Sequence, residues 1–342
     1  MKVLFIGGTG VISSACSRLA VERGVELYLL NRGKSIRPAP KGARVLHADI
    51  RDPASVRAAI GNLTFDAVVD WIAFVPEHIE ADLEVFRGRT GHYVFISSAS
   101  VYKTPPSVLP ITESTIPDNP FWEYSRNKIA CEQRLVRAFR EEKFPFTIVR
   151  PSHTYDCTQL PMEGGWTVVN RMLKGKKVIV FGDGTSLWTL THHDDFAVGF
   201  MGLLANAHAV GEVYHITSDE LLSWNQIFDM VARAAGAAAP DIIHVPSEVI
   251  AAFDPDWGSS LLGDKSHCMI FDNSKIKRCV PDFTCRISFS HGVSEILSWY
   301  NADPKRRVID EKFDRLFDSI IAAQERAFPG RPEQMQPPKH PL

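Results

Sequence analysis

The chain has 342 residues, of which 45% are apolar and 23% charged, with a net charge of −2. That is enough apolar material for one large or two modest cores, and the near-neutral balance gives no bulk electrostatic reason for nucleic acid or an anionic membrane to be the main partner. No run reaches the ~18 apolar residues that a membrane span needs, so a cytoplasmic protein is expected, its six scattered cysteines free thiols, with no metal site assigned to them.

The first predicted element is the strand Val3 to Ile6. Gly7-Gly8-Thr9-Gly10-Val11-Ile12-Ser13 follows it directly and opens a helix. In that setting glycines let the backbone turn tightly and approach a pyrophosphate, whose charge meets the amides of a helix N-terminus. Gly7, Thr9, Gly10, Val11 and Ile12 are therefore candidate dinucleotide contacts. Ser13 takes the third glycine position, small enough for helix and strand to stay close.

The second strand, Glu26 to Leu30, runs into Asn31-Arg32-Gly33. An acidic residue at such a tip would bond the ribose 2′-hydroxyl of NAD, and a basic one the 2′-phosphate of NADP. Asn31 and Arg32 supply no carboxylate, and Arg32 can pair with a phosphate or stack on adenine. The expected cofactor is NAD or NADP with a lean to NADP, against the competing reading of Arg32 as a solvated turn residue. Asp49-Ile50, after a third strand at Arg44 to His47, is placed to touch adenine, though Asp49 can equally cap the helix that follows.

Strands at Ala67 to Trp71, His92 to Ile96 and Phe146 to Val149 continue the alternation with amphipathic segments. This pattern predicts an α/β fold, a doubly wound, Rossmann-like parallel sheet over residues 1–150 with a return segment at about 188–215. Before the last of these strands lies Trp122-Glu123-Tyr124-Ser125-Arg126-Asn127-Lys128. Four-residue spacing on a helix sets Tyr124 and Lys128 side by side. A phenol titrates near ~10 unless a nearby cation favours its phenolate, and Lys128 is such a cation.

From Pro151 the rhythm breaks at Gly164-Gly165, at Gly182-Asp183-Gly184 and around Pro240 and Pro255. A smaller C-terminal α/β lobe, mainly substrate-binding, is expected over residues 151–328, with amphipathic helices at Trp224 to Ala235 and Glu311 to Arg326. The tail 329–342, five prolines in fourteen residues, is expected to be flexible.

These segments, with the strand-end run Phe95-Ile96-Ser97-Ser98-Ala99-Ser100-Val101-Tyr102, occur in an order and spacing that resembles the extended short-chain dehydrogenases, the NAD-dependent epimerase/dehydratase group. The likeness continues through Arg150-Pro151, Phe181-Gly182-Asp183-Gly184, His192-His193-Asp194-Asp195, Val213-Tyr214-His215-Ile216 and Phe271-Asp272-Asn273-Ser274-Lys275, covering roughly residues 1 to 300. It implies a catalytic set of Ser98, Tyr124 and Lys128, with Pro151 beside the cofactor. Ser98 would bond the reacting hydroxyl or carbonyl, Tyr124 would exchange its proton while hydride moves, and Lys128 would hold the nicotinamide ribose and lower the tyrosine pKa. Ser97 and Ser100 are the fallback serines. The implied activity is an NAD(P)-dependent epimerase or oxidoreductase on a sugar or nucleotide-sugar-like small molecule, in a homodimer built beside the tyrosine helix.

Two departures narrow this. Dehydratases of the group carry an acidic pair directly after the catalytic serine or threonine, where this chain has Ala99 and Ser100, so sugar 4,6-dehydration is not expected. The group's two diphosphate-binding arginines are replaced by Trp188 and Leu261. Either Arg171, Lys174 and Lys265 supply the charge, or the substrate is not a typical nucleoside diphosphate sugar. Trp188 can stack on a base or sugar, or be core. His153 is a candidate second acid or base against a structural loop histidine, and His192 and His193 read as helix entry rather than metal ligands. The alternative function is that of an atypical relative, an RNA-binding protein or a dinucleotide-binding regulator without turnover. The complete catalytic set and the absence of net basic charge argue against nucleic acid.

Overall fold

The computed structural model describes residues 1–328; the expected flexible tail at 329–342 lies outside the described residues. Seven strands form one parallel sheet: β1 (Lys2–Ile6), β2 (Glu26–Asn31), β3 (Arg44–His47), β4 (Ala67–Asp70), β5 (Tyr93–Ile96), β6 (Phe146–Pro151) and β11 (Val213–Ile216). Their order is β11-β6-β5-β4-β1-β2-β3, so the direction of winding reverses between β1 and β4. A crevice at the carboxyl ends of the strands follows from that reversal.

Why both faces are covered is visible in β1. Val3 and Phe5 point to one side, where they join residues of α1 (Val11–Glu22) and α6 (His193–Met201). Leu4 and Ile6 point to the other, among residues of α2 (Pro53–Ile60), α3 (Pro76–Phe86) and α4 (Glu123–Glu142). All four are fully buried, as an unbroken apolar run in a central parallel strand requires. The return from the C-terminal half supplies α6 to one face and β11 to the edge, with Val213 opposite Ile148 and Ile216 opposite Pro151.

The remaining chain forms a second core. It gathers α5 (Trp166–Leu173), α7 (Trp224–Ala234), α8 (Ser247–Phe253), α9 (Pro255–Ser260), α11 (Phe289–Ala302) and α12 (Glu311–Ala327) around β8 (Val178–Phe181) and β13 (Ile242–Val245). Two further short pairs, β7 (His153–Tyr155) with β10 (Leu190–His192) and β9 (Leu187–Trp188) with β12 (Leu222–Ser223), lead between the cores, and α10 (Ser274–Cys279) packs back on the first.

Arg171 corrects the sequence reading. Its side chain is 3% exposed and joins α5 to α12, bonding Asp314 at 2.5 Å and Asp318 at 2.8 Å, so the guanidinium is a structural cross-link and not a substrate contact. Lys174 stands exposed at the end of α5. Among the described residues no helix is long and apolar enough to cross a membrane.

Candidate active site

β1 runs straight into Gly7 and Gly8, at φ of 100° and 91°, where a side chain would be strained. At Gly8 a Cβ would also lie 2.6 Å from Leu29, so glycine is what lets the loop press against β2. Ser13 does more than stay small. Its Oγ accepts the Gly10 amide at 2.7 Å, closing the turn that carries Thr9, Gly10, Val11 and Ile12 into α1. His193 bonds the Val11 carbonyl at 3.1 Å and Arg18 pairs with Asp194, tying the start of α1 to α6.

A cleft of about 390 Å³ opens beside this loop. Gly7, Asn31, Arg32, Asp49, Ile50 and Phe74 line it, with Lys34, Ser35 and Arg51 at its basic side. Asn31 holds its turn by accepting the Gly33 amide at 2.9 Å. Asp49 does not cap α2; Asp52 does, accepting Ala54 and Ser55 amides, and Asp49 stays in the cleft wall 3.6 Å from Arg32. A glycine-rich loop at a helix N-terminus, continuous with a cleft edged by cations, fits a dinucleotide.

Next to that cleft, β5 ends and Ser98 opens a short turn over Ala99–Val101. Ser98 Oγ lies 2.9 Å from Ser100 Oγ, and Ser125 on α4 donates to Ser100 Oγ at 2.8 Å. The chain Ser125–Ser100–Ser98 joins the tyrosine helix to the strand end. With Ser125 as donor, Ser100 can pass its proton toward Ser98, leaving the Ser98 proton for an oxygen in the cleft.

Tyr124 is half-buried, its ring 4.8 Å from that of Trp122 and 6.4 Å from that of Phe74. Burial pushes its phenol up to about 12, opposed by the neighbouring Ser98 hydroxyl and helped by the Asp264 carboxylate. Lys128 lies on the same face but is buried at 2% exposure. Its ammonium donates to the carbonyls of Ala73 at 2.6 Å and Ile96 at 2.8 Å and sits over the rings of Phe74 and Phe95. Burial pulls it down to about 8. The lowering of the phenol expected from Lys128 is not seen: enclosure dominates, and the opposing effect comes from Ser98.

The other candidates fall into two groups. Ser97 is spent on Glu132, 2.6 Å away, and Glu132 is in turn held by Arg150. Trp188 is corrected to core: it is 1% exposed, in β9, with its ring 5.7 Å from Trp224 inside the second core, and Leu261 is fully buried there too. Pro151 is buried at the end of β6. His153 and Lys265, by contrast, come together. Burial, with Lys265 nearby, pulls the imidazole down to about 3, so His153 is neutral at pH 7 and suited to hydrogen bonding rather than to proton removal. Lys265 stands 5.5 Å over the Trp122 ring and 3.9 Å from the Asp264 carboxylate, which burial pushes up to about 6.

Asp264, Trp122, Ser125 and Asn119 escape the sequence reading as site residues. His192, His193 and Asp194 bring ligand-type atoms within 4.8 Å of one another. Their groups are engaged locally: His192 caps α6 and bonds Glu295 at 3.1 Å, and His193 holds Val11.

Residues 3–217 match the family model described as the NAD dependent epimerase/dehydratase family. A 2′-dehydrokanamycin reductase of Streptomyces kanamyceticus is 26% identical over 307 residues, covering 87% of this chain and 84% of that protein. A chloroplast stem-loop binding protein of 41 kDa b from Arabidopsis thaliana is 27% identical over 258 residues, covering 71% of this chain and 65% of that one. In fold, the chain is similar to the UDP-glucose 4-epimerase from Bifidobacterium longum, solved in complex with NAD+ and UDP, with a TM-score of 0.71 at 18% identity over 90% of this chain and 100% of that chain.

Proposed function

The chain belongs to the NAD-dependent epimerase/dehydratase family, and from that premise we propose that it is an NAD(P)-dependent enzyme exchanging hydride with a sugar-like alcohol or ketone that carries no diphosphate. The observation that carries this reading is the meeting of Ser98, Tyr124 and Lys128 at one sheet edge beside the glycine loop. When bound, the dinucleotide supplies or accepts the hydride. Ser98 then donates to the substrate oxygen, and Tyr124 gives or takes the proton at that same oxygen. Lys128 fixes the loop ends at Ala73 and Ile96 and would hold the nicotinamide ribose with its remaining N–H.

Arg32, Lys34 and Arg51 around the cleft favour NADP, because a 2′-phosphate needs cations where NAD needs a carboxylate. The substrate side argues against a nucleoside diphosphate. Trp188 and Leu261 are core, Arg171 is held by two aspartates, and Lys265 has Asp264 beside it. A diphosphate there would lose water without gaining a bidentate partner. The exposed part of Trp122, next to Lys265, offers a flat face for a sugar ring. Net reduction is favoured over epimerisation by the likeness to a reductase across most of both chains. RNA binding has the stem-loop binding relative in its favour, but the net charge of −2 supplies no electrostatic footprint.

The test is native purification, release of what the protein carries, and identification by mass, followed by assay of neutral sugar ketones and UDP-sugars with both cofactors. We expect a dinucleotide, turnover of a neutral sugar, and a fall of about 10²–10⁴-fold in turnover with Tyr124→Phe. Neither NAD nor NADP raising the melting temperature at millimolar concentration would defeat the reading.

A further inference from the structure

Three segments far apart in the chain meet on one side chain. Asn119 is 2% exposed. Its amide nitrogen donates to the carbonyls of Ser100 at 2.7 Å and Gly263 at 2.6 Å, and its amide oxygen accepts the backbone amides of Phe121 and Trp122, each at 3.2 Å. Two carbonyls on one side and two N–H groups on the other fix which end of the amide is which, and all of its principal hydrogen-bonding capacity is used. Gly263 supports the same meeting independently. A Cβ there would lie 2.7 Å from Trp122 Cβ, so only glycine lets the turn Leu261–Lys265 come this close to the start of the tyrosine helix.

Each of the three segments carries one wall of the site. Ser100 leads back to Ser98, Trp122 leads into Tyr124, and Gly263 precedes Asp264 and Lys265. We infer that Asn119 is a positioning residue for the hydride-transfer reaction, its amide setting the gap between the Ser98–Tyr124 edge and the Asp264–Lys265 wall in which the substrate is held. This rests on the function proposed above. Burial and Asp264 both push the Tyr124 phenol up, and the Asp264 share needs the Gly263–Asp264 wall to be close. Releasing that wall therefore eases Tyr124 ionisation, which filling space at position 119 cannot reproduce.

The experiment compares the wild type with Asn119→Leu, which keeps the volume and removes the bonds, with Asn119→Ala, and with Gly263→Ala, which keeps the Asn119 side chain but crowds it and Trp122 and forces the wall outward. Amide exchange is followed by mass spectrometry over residues 97–102, 120–126 and 260–267, NADPH binding by fluorescence, and Tyr124 ionisation by tyrosinate absorbance against a Tyr124→Phe blank in each background. We expect NADPH affinity within about threefold of wild type and about tenfold faster exchange in the three segments of both Asn119 variants. Tyr124 should ionise about one pH unit lower in all three variants. Wild-type exchange and titration in Asn119→Leu would reduce Asn119 to a space-filler and overturn the inference, as would faster exchange spread evenly over the whole chain. If the Asn119 variants do not fold, Tyr124 titration in Gly263→Ala decides alone. Failure of the wild type to bind NADPH or NADH would sink the proposed function, while the exchange pattern would still decide the role of Asn119.

Discussion

The Lys128 ammonium lies 5.8 Å from the centre of the Tyr124 ring, yet its hydrogen bonds go to the main-chain carbonyls of Ala73 and Ile96. It serves as a strut between the ends of β4 and β5 as well as a cation beside a phenol. Lys128→Met should leave both carbonyls unpaired, at about 1–3 kcal/mol each. The pH dependence has a definite sign. The folded-state pKa is lowered to about 8 from 10.5, so between those values the unfolded chain holds more protons than the folded one. Stability from this group is present above about pH 10.5 and is lost as pH falls through 8. The advantage of wild type over Lys128→Met in urea unfolding should therefore grow by roughly 3 kcal/mol from pH 8 to 10.5. An advantage that shrinks over that window would contradict the burial of the ammonium.

Arg32 and Asp49 form a long pair, 3.6 Å apart with both side chains well exposed, of a kind worth only about 0–1 kcal/mol. Arg32 can leave it at little cost to meet a 2′-phosphate. Arg32→Ala should raise the Kd for NADPH about tenfold and that for NADH less than threefold. The NADPH difference should narrow as salt is added. Equal weakening of both cofactors would make Arg32 an adenine-stacking residue instead.

Arg150 and Glu132 are a buried pair, 4% and 6% exposed, which also receives the Ser97 hydroxyl and places the guanidinium 4.6 Å over the Tyr102 ring. Glu132→Gln leaves a buried guanidinium without a counter-charge and should cost about 3–5 kcal/mol in denaturant unfolding. The double variant Glu132→Leu with Arg150→Met removes both charges and should cost less than either single change. If the single and double changes cost the same, the two side chains are not coupled.

What the sequence shows of this site is its local part. The glycine loop follows a strand within a few residues, and Tyr124 and Lys128 share a helix face at a spacing of four, so helical periodicity alone places them together. Asn119 and Gly263 are separated by 144 positions and Arg171 and Asp314 by 143, distances at which no periodicity acts. Some of the rest was within reach. Arg171 follows Thr167 by four and Val168 by three on α5, the buried face of that helix, so its spacing already pointed inward. Asn119-Pro120 just before a helix is a turn signal, but nothing local tells that the amide also reaches Ser100 and the second core. The phenol's rise has the same origin: spacing sets Lys128 beside Tyr124, whereas the enclosure that raises the phenol is completed by Phe74 and Asp264, which only the tertiary fold brings to it.

Asp264 shows what that enclosure costs. Its side chain is 16% exposed, and its nearest cation, Lys265, is 3.9 Å away, at the limit of an ion pair. Burial raises the carboxyl to about 6 from 3.8. Between these values the folded protein holds more protons than the unfolded chain, so the stability this group contributes is present below about pH 3.8 and is lost as pH rises through 6. At pH 7 the ionised carboxylate is a net penalty, on the order of 2–3 kcal/mol with the Lys265 attraction already included, an upper value that partial exposure reduces. Asp264→Asn should therefore raise the melting temperature at pH 7 and leave it unchanged near pH 3.5. A buried carboxylate held at such a cost is a candidate for function, and on the function proposed above the same variant should lose at least about tenfold in kcat/KM on a sugar ketone while keeping NADPH affinity. A variant neither stabilised at pH 7 nor impaired in turnover would show that the carboxylate is solvated and idle.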